Sequence, residues 1–446
     1  MTQAFFGGVH PDGYKNATAR ALIEQLPSPD EVAIAMSMHL GAPCAPAVQV
    51  GDHVDIGQKI GLTQGLGAPI HASVSGTVKA IEMRPNVFGG KVLSVVIEND
   101  LKNTVSAEVQ PPENPDLLST EEMIERIREA GIVGMGGATF PTHVKIESGI
   151  GKVHTVIING AECEPYLTCD HRMMLEHSDE IIGGAQFLAK IFSVNKVIIG
   201  VETNKRNAII RLRKTIENMQ APVVVHPLHT RYPQGGEKQI CQAITGREVP
   251  PGALPSAIGC AVFNVTTTLQ IYRALTRGMP VVDKVVTVSG NGVIKPRNVL
   301  CPIGTPISAL FDYCGGVREN TGKIIVGGPM MGLAQYNADI CVTKGTGGVL
   351  ALCTREDWQK KEMACIRCGR CVEACPMHLE PLFLYQFAMR NRYDDLKKYH
   401  VADCMECGAC SYICPARLHL TQAFKVAKQR VKDNDARKAA EKEAKG

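Results

Sequence analysis

The sequence is poor in long apolar segments, in aromatic residues and in net charge. No run of 18 or more apolar residues occurs, so no segment is predicted to cross a membrane. Aromatic residues make up 5% of the chain and the formal net charge is +4; with no basic–aromatic motif, nucleic-acid binding is not indicated. Residues 1–20 lack the basic start and apolar stretch of a secretory signal, so we expect a reducing, cytoplasmic compartment.

Cysteine, in contrast, is abundant, and the spacing of the cysteines argues against a secreted disulfide scaffold. Eight of the 17 cysteines fall in two C-x2-C-x2-C-x3-C-P runs, residues 365–376 and 404–415. This spacing is typical of proteins that hold two [4Fe–4S] clusters, in which the fourth cysteine of each run ligates the cluster of the other run. Zinc is the alternative, but zinc sites pair two C-x2-C units over a longer gap and need no third cysteine or proline.

The two runs therefore predict two crossed sets of iron ligands. The first cluster is predicted to use Cys365, Cys368, Cys371 and Cys414. The second cluster is predicted to use Cys404, Cys407, Cys410 and Cys375. A protein with two such clusters moves electrons one at a time.

Changes of pattern along the chain predict a multidomain α/β protein. Short β-rich pieces with Gly and Pro turns fill residues 33–100 and return at residues 283–340. Between about 131 and 280, apolar strands alternate with amphipathic helices, which favours a parallel sheet. The predicted domains are residues 1–110, an amino-terminal segment and β module; 117–281, a parallel α/β domain; 282–345, a small β or α+β module; 355–422, a helical two-cluster ferredoxin-like domain; and 423–446, a charged helical tail with a mainly solvated face.

A glycine-rich loop, residues 131–141, is the second strong feature. It follows a helix that a Ser119–Glu122 capping box starts, whereas a Rossmann fingerprint follows a strand. The loop alone could be an ordinary turn. Polar residues at the predicted carboxyl ends of strands favour a ligand site, because ligands bind at that edge of open parallel sheets. They are the turn Asn159-Gly-Ala-Glu-Cys-Glu-Pro, Glu202 and Asn264, with a second glycine turn, Tyr232-Pro-Gln-Gly-Gly-Glu, before another helix.

These motifs resemble the flavin-bearing NADH dehydrogenase subunit of respiratory complex I. The resemblance implies non-covalent FMN bound by Gly134, Gly136, Gly137, Thr139, Lys145, Asn159, Glu162, Tyr232, Gly235, Gly236, Asn264 and Thr267. It implies NAD(H) held by Phe140, Glu164 and Glu237. No acid–base residue is expected, since hydride transfer mainly demands position. The sequence has Thr139 where that family usually has glycine, and Ala161 where it usually has aspartate.

The order of the parts resembles a second family. The segment after Val50 and the segment from Pro69 are similar to a biotinyl/lipoyl-type barrel-sandwich hybrid without its modified lysine, and residues 282–345 look like a β-grasp-like soluble-ligand-binding module. With Gly7-Gly-Val-His-Pro at the start and two clusters at the end, the chain resembles the RnfC family, the C subunits of Rnf complexes.

That second resemblance implies a function. It implies a ferredoxin:NAD⁺ oxidoreductase coupled to Na⁺ or H⁺ translocation. This subunit would be peripheral on the cytoplasmic side of the membrane, with integral-membrane and ferredoxin-like subunits as partners. Three alternatives stay open: a soluble NADH:acceptor reductase, an electron-wire subunit without a nucleotide site, and a ligand sensor built on residues 283–340.

Overall fold

The computed structural model describes residues 5–355 and 361–443, which form two compact units. The larger unit comprises residues 13–228 and 255–354. The smaller unit comprises the residues up to Asp12, residues 229–254 and the segment from Arg355. The sequence predicts uninterrupted domains over 1–110 and 117–281, so this division differs from it. The reason is tertiary: Tyr232 is buried and its hydroxyl donates a hydrogen bond to the Cys407 carbonyl, a contact that local pattern does not reveal.

The described strands all lie in the larger unit. They are β1 (Ile23–Gln25), β2 (Glu31–Ala35), β3 (Ala45–Pro46), β4 (His53–Val54), β5 (Lys59–Leu62), β6 (Ile70–His71), β7 (Gly76–Pro85), β8 (Lys91–Asn99), β9 (Thr155–Gly160), β10 (Val197–Glu202), β11 (Val223–Leu228), β12 (Cys260–Asn264), β13 (Asp283–Ser289), β14 (Arg297–Pro302), β15 (Thr321–Val326), β16 (Leu333–Gln335) and β17 (Gly348–Cys353).

The helices occur in both units. They are α1 (Thr120–Glu129), α2 (Thr142–Gly149), α3 (Cys169–Glu176), α4 (Ser178–Ile191), α5 (Arg206–Met219), α6 (Glu237–Thr245), α7 (Val265–Arg277), α8 (Ile307–Tyr313), α9 (Arg370–Glu373), α10 (Pro381–Met389), α11 (Tyr393–Lys398), α12 (Ala409–Ile413) and α13 (Leu420–Glu443). Short 3-10 turns lie at Pro115–Leu117, Thr203–Lys205, Pro255–Ile258 and Val401–Asp403.

The sheets follow the predicted change from β-rich to alternating segments. Antiparallel sheets in the orders β2-β8-β7-β4 and β3-β5-β6 form the amino-terminal β module. The order β11-β10-β9-β12 forms a sheet in which every pairing is parallel, as the alternation of strands and helices predicts. Ile34 and Ile97 of the first module belong to one continuous core with Ile158 and Leu188 of the second. Burial of each such side chain contributes about 1.5–3 kcal/mol.

The remaining sheet has the order β1-β14-β13-β17-β15-β16. Its edge strand β1 comes from the amino-terminal segment and pairs in parallel with β14. Leu26, just after β1, is buried in the core of this sheet with Val286 and Val299. Residues 282–345 thus take a strand from far earlier in the chain.

The start of α1 agrees with the capping box predicted from the sequence, and a break separates α3 from α4. Ser119 and Glu122 form the predicted capping box at the start of α1: the Ser119 hydroxyl accepts from the Glu122 N–H at 3.2 Å, and the Glu122 carboxylate accepts from the Ser119 N–H at 2.7 Å. Helices α3 and α4 are separated only by His177, whose non-helical backbone angles break what would otherwise be one helix. No helix among the described residues combines the length and apolar character needed to cross a bilayer.

The carboxyl-terminal helix differs most from expectation. The sequence predicts a mainly solvated tail from residue 423, whereas α13 starts at Leu420 and its first half is part of the core of the smaller unit. Phe424, Ala427 and Val431 supply that apolar face. Their spacing fits one side of a helix, but the many charged residues around them obscure it.

Gly184 on α4 offers a test of the helix packing in the larger unit. A Cβ at this position would lie 2.1 Å from the carbonyl oxygen of Thr268 on α7. We expect Gly184→Ala to destabilise the protein by about 1–3 kcal/mol, because the helices must separate. Gly90→Ala is the control, since a Cβ there has no atom within 4 Å. The melting temperatures of the two variants measure this difference in stability. Equal melting temperatures would contradict the packing described.

Candidate functional site

The glycine loop is a closed hairpin with an exposed tip. The Gly134 N–H donates to the Phe140 carbonyl at 2.9 Å, and the Met135 N–H donates to the Thr267 hydroxyl at 2.9 Å. A Cβ on Gly136 would lie 2.6 Å from the Asn264 amide nitrogen, so only glycine fits there. A Cβ on Gly137 would meet no atom within 4 Å. The tip therefore has open space in front of it that a ligand can enter.

Two asparagines fix where this loop sits on the parallel sheet. Asn159, one residue before the end of β9, and Asn264, the last residue of β12, are register partners, so their side chains start from the same carboxyl edge. Asn264 also caps α7, accepting from the Thr266 N–H at 2.8 Å. The structure thus brings together the glycine loop, the turn after β9 and the start of α7 at one edge of the sheet.

Asp170, at the start of α3, links these segments, although no motif in the sequence marks it. Its carboxylate accepts from the Asn264 amide at 2.7 Å and from the Thr266 hydroxyl at 2.9 Å. Its own N–H donates to the Glu162 carboxylate at 2.7 Å. A single Asp in the first turn of a helix looks like an ordinary capping residue, so local pattern carries no signal of this role.

Three buried lysines donate hydrogen bonds to backbone carbonyls of the site. Lys284 donates to the Met135 carbonyl at 2.8 Å, and Lys344 donates to the Gly131 carbonyl at 2.6 Å. Lys205 donates to the Ala161 carbonyl at 2.5 Å. Each of these lysines is at most 3% exposed. Burial lowers the pKa of Lys284, and it lowers the pKa of Lys344 to about 7.

Lys15 is a fourth lysine of this kind and comes from the amino-terminal segment. Its ammonium donates to the carbonyls of Glu162 at 3.0 Å, Glu164 at 2.8 Å and Leu167. It also lies 3.8 Å from the Glu162 carboxylate. The turn after β9 needs such support because Glu162 and Tyr166 have positive φ angles of 46° and 67°.

Glu162 is the buried acid of this turn. Burial raises the pKa of its carboxyl to about 7, and the nearby Lys15 opposes that rise. One carboxylate oxygen accepts from the Asp170 N–H, whereas the other, Oε2, makes no hydrogen bond within the part of the chain described and lies 3.8 Å from the Lys15 ammonium. A buried carboxylate oxygen without a hydrogen bond has capacity left to interact with a ligand.

The two departures from the complex I pattern have structural counterparts. Thr139 has a φ angle of +52°, a left-handed conformation that glycine adopts without strain and a β-branched residue rarely does. Ala161 is fully buried, with its N–H donating to Asn159 and its carbonyl accepting from Lys205. A longer side chain at residue 161 would need space that this turn does not have.

Three predicted ligand-binding residues make other contacts in the structure. Both carboxylate oxygens of Glu164 accept backbone N–H bonds, from Met330 at 3.0 Å and Met331 at 2.9 Å. Lys145 donates to the Val262 carbonyl at 3.1 Å. Phe140 is half-buried at the base of the glycine hairpin. Their roles toward NAD(H) and FMN stay predictions.

The second glycine turn lies in the smaller unit, on the second cysteine run. The buried Tyr232 hydroxyl donates to the Cys407 carbonyl at 2.6 Å. Gln239 on α6 donates to the Pro376 carbonyl at 3.2 Å. Gly235 and Gly236 lead into α6, whose first residue is Glu237. The structure thus joins this turn to a predicted iron site, and its predicted part in nucleotide binding stays a prediction.

The eight predicted iron ligands surround two cavities in the predicted crossed sets. One cavity is lined by Cys365, Cys368, Cys371 and Cys414. A second cavity is lined by Cys375, Cys404, Cys407 and Cys410. Within the described residues, no group of three or more His, Cys, Asp or Glu side chains is arranged to bind a single metal ion. A [4Fe–4S] cluster, in contrast, is held by four separate cysteine thiolates.

The chemistry of both cavities suits iron–sulfur clusters. Backbone N–H groups donate to the sulfurs of Cys365, Cys375 and Cys404, each at 3.4 Å. Such bonds stabilise negative charge on thiolates and on a cluster. Burial raises the pKa of Cys407 and of Cys410 to about 12, so metal binding must displace the thiol protons.

Comparisons with known families match four stretches of the chain in the order predicted. They are the RnfC barrel sandwich hybrid domain at residues 3–102, the Nuo51 FMN-binding domain at 127–273, the SLBB domain at 285–334 and the 4Fe-4S dicluster domain at 357–415. The fold is thereby confirmed in outline. The β-grasp-like label and the predicted domain limits stay predictions.

Similar proteins cover nearly the whole chain. The C subunit of the proton-translocating ferredoxin:NAD(+) oxidoreductase complex of Clostridium ljungdahlii is 46% identical over 90% of this chain and 88% of its own. The C subunit of the Na(+)-translocating ferredoxin:NAD(+) oxidoreductase complex of Acetobacterium woodii is 44% identical, over 96% of this chain and 97% of its own. The C subunit of the ion-translocating oxidoreductase complex of Rhodobacter capsulatus is 39% identical, over 97% and 84%.

This chain belongs to the RnfC family, the C subunits of Rnf complexes. The predicted family is thereby confirmed, as are FMN and [4Fe–4S] clusters as cofactors. The chain is an electron-transfer subunit. Its glycine hairpin, with open space in front of the tip, fits a flavin site, and its two cysteine cavities fit the clusters.

Paired cysteine variants test the crossed ligation. Cys414→Ala should remove about four of eight iron atoms, the content of one cluster. The double variant Cys365→Ala/Cys414→Ala should lose no more, because both thiols line the same cavity. Cys375→Ala/Cys414→Ala should lose both clusters. Iron and sulfide analysis gives the answer, with Cys314→Ala as the control.

If the Cys365→Ala/Cys414→Ala protein lost all its iron while each single variant lost half, the ligation would be uncrossed. Loss of iron in the Cys314→Ala protein would show that the assay reports general instability.

Lys15→Met tests the support of the turn after β9. Removing the ammonium leaves three carbonyls and the buried Glu162 without their shared partner. We expect the FMN dissociation constant to rise about tenfold, equivalent to about 1.4 kcal/mol. Fluorescence titration of FMN measures it, with the exposed Lys102→Met as the matched control. Equal FMN affinity in both variants would show that Lys15 does not position the site.

Proposed function

We propose that this chain is the NAD(H)-oxidising and NAD⁺-reducing subunit of an Rnf-type ferredoxin:NAD⁺ oxidoreductase that couples electron transfer to Na⁺ or H⁺ translocation. One observation carries the proposal. A single chain combines a glycine hairpin at the carboxyl edge of a parallel sheet with two cavities of four cysteines each. The names of the relatives, which are subunits of ferredoxin:NAD(+) oxidoreductase complexes, support the choice of reaction.

The residues of the larger unit suit the binding of an anionic, planar cofactor. Bound FMN supplies the exchange between two-electron and one-electron chemistry that NADH and iron–sulfur clusters require. The tip glycines leave room for a phosphate or flat ring close to the backbone. Buried Lys284 and Lys344 donate hydrogen bonds to carbonyls of Met135 and Gly131. The exposed tip of the hairpin is left for contact with a ligand.

The assignment of residues follows from the family resemblance and from these contacts. We propose that Gly134, Gly136, Gly137, Asn159 and Asn264 bind FMN directly. We propose that Glu162 and Thr267 act from the buried side of the site, since Thr267 holds the Met135 N–H. Phe140, Glu164 and Glu237 are proposed to contact NAD(H).

The chain is proposed to work as a peripheral subunit on the cytoplasmic side of the membrane. Integral-membrane and ferredoxin-like subunits of the complex are the proposed partners. The names of the relatives, which describe subunits of translocating complexes, support membership of such a complex. Membrane fractionation separates it from a soluble NADH:acceptor reductase, which would stay in the supernatant.

Cofactor content and reduction by NADH test the proposed function. Anaerobically purified protein should contain about eight iron atoms and one FMN per chain. NADH should bleach the flavin absorbance and then the iron–sulfur absorbance. Iron without flavin would leave only an electron-wire subunit, and flavin that NADH does not bleach would exclude the NAD(H) reaction.

Gly137→Ala separates a cofactor-binding hairpin from an ordinary turn. A Cβ at this position meets no protein atom within 4 Å and the residue has no positive φ angle, so folding should be unaffected. If FMN occupies the space in front of the tip, its affinity should fall about tenfold. Unchanged FMN binding would contradict the placement of the cofactor against the tip. Gly90→Ala is again the control.

A further inference from the structure

The two cysteine loops are near-copies of each other in backbone shape. Arg367 and Glu406 occupy the same position in their loops and have φ angles of +55° and +59°. Gly369 and Gly408, two residues on, have φ angles of +77° and +82°. In both loops the N–H of the first of these residues donates to a cysteine sulfur at 3.4 Å. Because the two loops are so similar, the ligation of a cluster alone does not account for the differences between their surroundings.

The second loop, residues 404–410, is covered by its own chain. The Tyr232 hydroxyl bonds to the Cys407 carbonyl, and a Cβ on Gly236 would lie 2.9 Å from the Met405 methyl group. Glu406 is paired with Lys428 at 2.8 Å. The segment that covers this loop is the glycine turn for which the family resemblance predicts nucleotide binding.

The first loop, residues 365–371, is open to solvent. Cys365 and Cys368 are exposed, while Cys407 and Cys410 in the second loop are buried. Ile366 is 69% exposed, although the equivalent Met405 contacts the covering segment. A single exposed apolar side chain is common on protein surfaces, but one beside an exposed redox site suits the small interfaces of electron-transfer encounters.

The charges of the two loops also differ in sign. The first loop carries Arg367 and Arg370, both exposed, and no acidic residue. The second loop carries Glu406 and no basic residue. The acidic residues next to the first loop in sequence are Glu362, whose carboxylate lies 3.4 Å from the His419 ring, and Glu373. The loop itself is thus basic beside the apolar Ile366, and its two arginines suit an acidic partner.

We propose that the loop 365–371 is the docking surface for an acidic protein that carries an iron–sulfur cluster near its own surface. We infer that electrons pass between the nucleotide site and this surface through the second cavity first and the first cavity last. One electron crosses the surface in each exchange; one side is oxidised and the other reduced, and no bond is made or broken. This inference deepens the proposed function and rests on it.

Charge reversal at the open loop tests the docking surface on the full-length holoprotein. The probe is a small acidic ferredoxin with two [4Fe–4S] clusters. We expect Arg367→Glu/Arg370→Glu to raise its dissociation constant at least about tenfold at low salt, by removing attraction and adding repulsion. Reduction of the protein by the reduced ferredoxin should slow by a similar factor, and the difference from the unaltered protein should shrink at high salt.

The matched control makes the same change in net charge on α5. Arg211→Glu/Arg213→Glu replaces two exposed arginines there and should leave ferredoxin binding within about twofold. Equal weakening by both double variants would show that only net charge matters and would overturn the proposal. So would unchanged binding by the loop variant, a shift in cluster potential without a change in binding, or no binding by the unaltered protein.

Single-cluster variants test the order of the cavities. In Cys414→Ala, NADH should still reduce the remaining cluster, but exchange with ferredoxin should be lost. In Cys375→Ala, ferredoxin should still reduce the remaining cluster, but NADH should not. The reverse pattern would overturn the order. Electron paramagnetic resonance of the reduced proteins gives the readout.

These results can be told apart from failure of the proposed function. If NADH fails to bleach the flavin but ferredoxin still binds and reduces the clusters through Arg367 and Arg370, the docking surface stands and the NAD(H) reaction falls. If NADH bleaches the flavin but the loop variant binds ferredoxin normally, the NAD(H) reaction stands and the docking surface falls.

Discussion

Buried ammonium groups bonded to backbone carbonyls are the interaction on which the proposed flavin site depends. Lys15, Lys205, Lys284 and Lys344 come from four separate parts of the chain, and each donates to a carbonyl of a loop that the site uses. A buried lysine is costly unless it is well bonded, so the loops and the lysines fix each other. The loops keep conformations that would otherwise be strained, including the positive φ angle of Glu162.

The smaller unit contains two cysteine loops of the same shape in different surroundings. Two cysteine loops of the same backbone shape offer equivalent chemistry to iron, yet one is covered by residues 229–254 and the other is exposed. Burial and exposure set how a cluster exchanges electrons, because access and surrounding charge control both potential and partner. We propose that this asymmetry sets the order in which electrons pass through two cysteine runs that are nearly symmetric in sequence.

The sequence was most informative where function depends on local spacing. The cysteine runs predicted which four thiols share each cavity, and strand ends predicted that Asn159 and Asn264 lie at one edge. Contacts between distant residues were not predictable in the same way. Lys15 and Asp170 look like ordinary surface and capping residues in the sequence, and only the folded chain brings them to the turn after β9. Glu164 shows the reverse, since its motif suggested a ligand whereas the structure gives it two backbone partners.

The edge strand β1 has a consequence for the order in which the chain is made and folded. Thr18, just before β1, accepts a hydrogen bond from Asn298, which lies 280 residues further along the chain. During synthesis the amino-terminal segment must therefore wait for more than half of the polypeptide before its partners exist. Lys15 lies in that same segment. The turn that it holds is also bonded by Lys205 and Asp170, which lie closer to it along the chain. Contacts of such long sequence separation form slowly. Completion of the proposed flavin site is thus linked to the late closure of a sheet that is not itself part of the site.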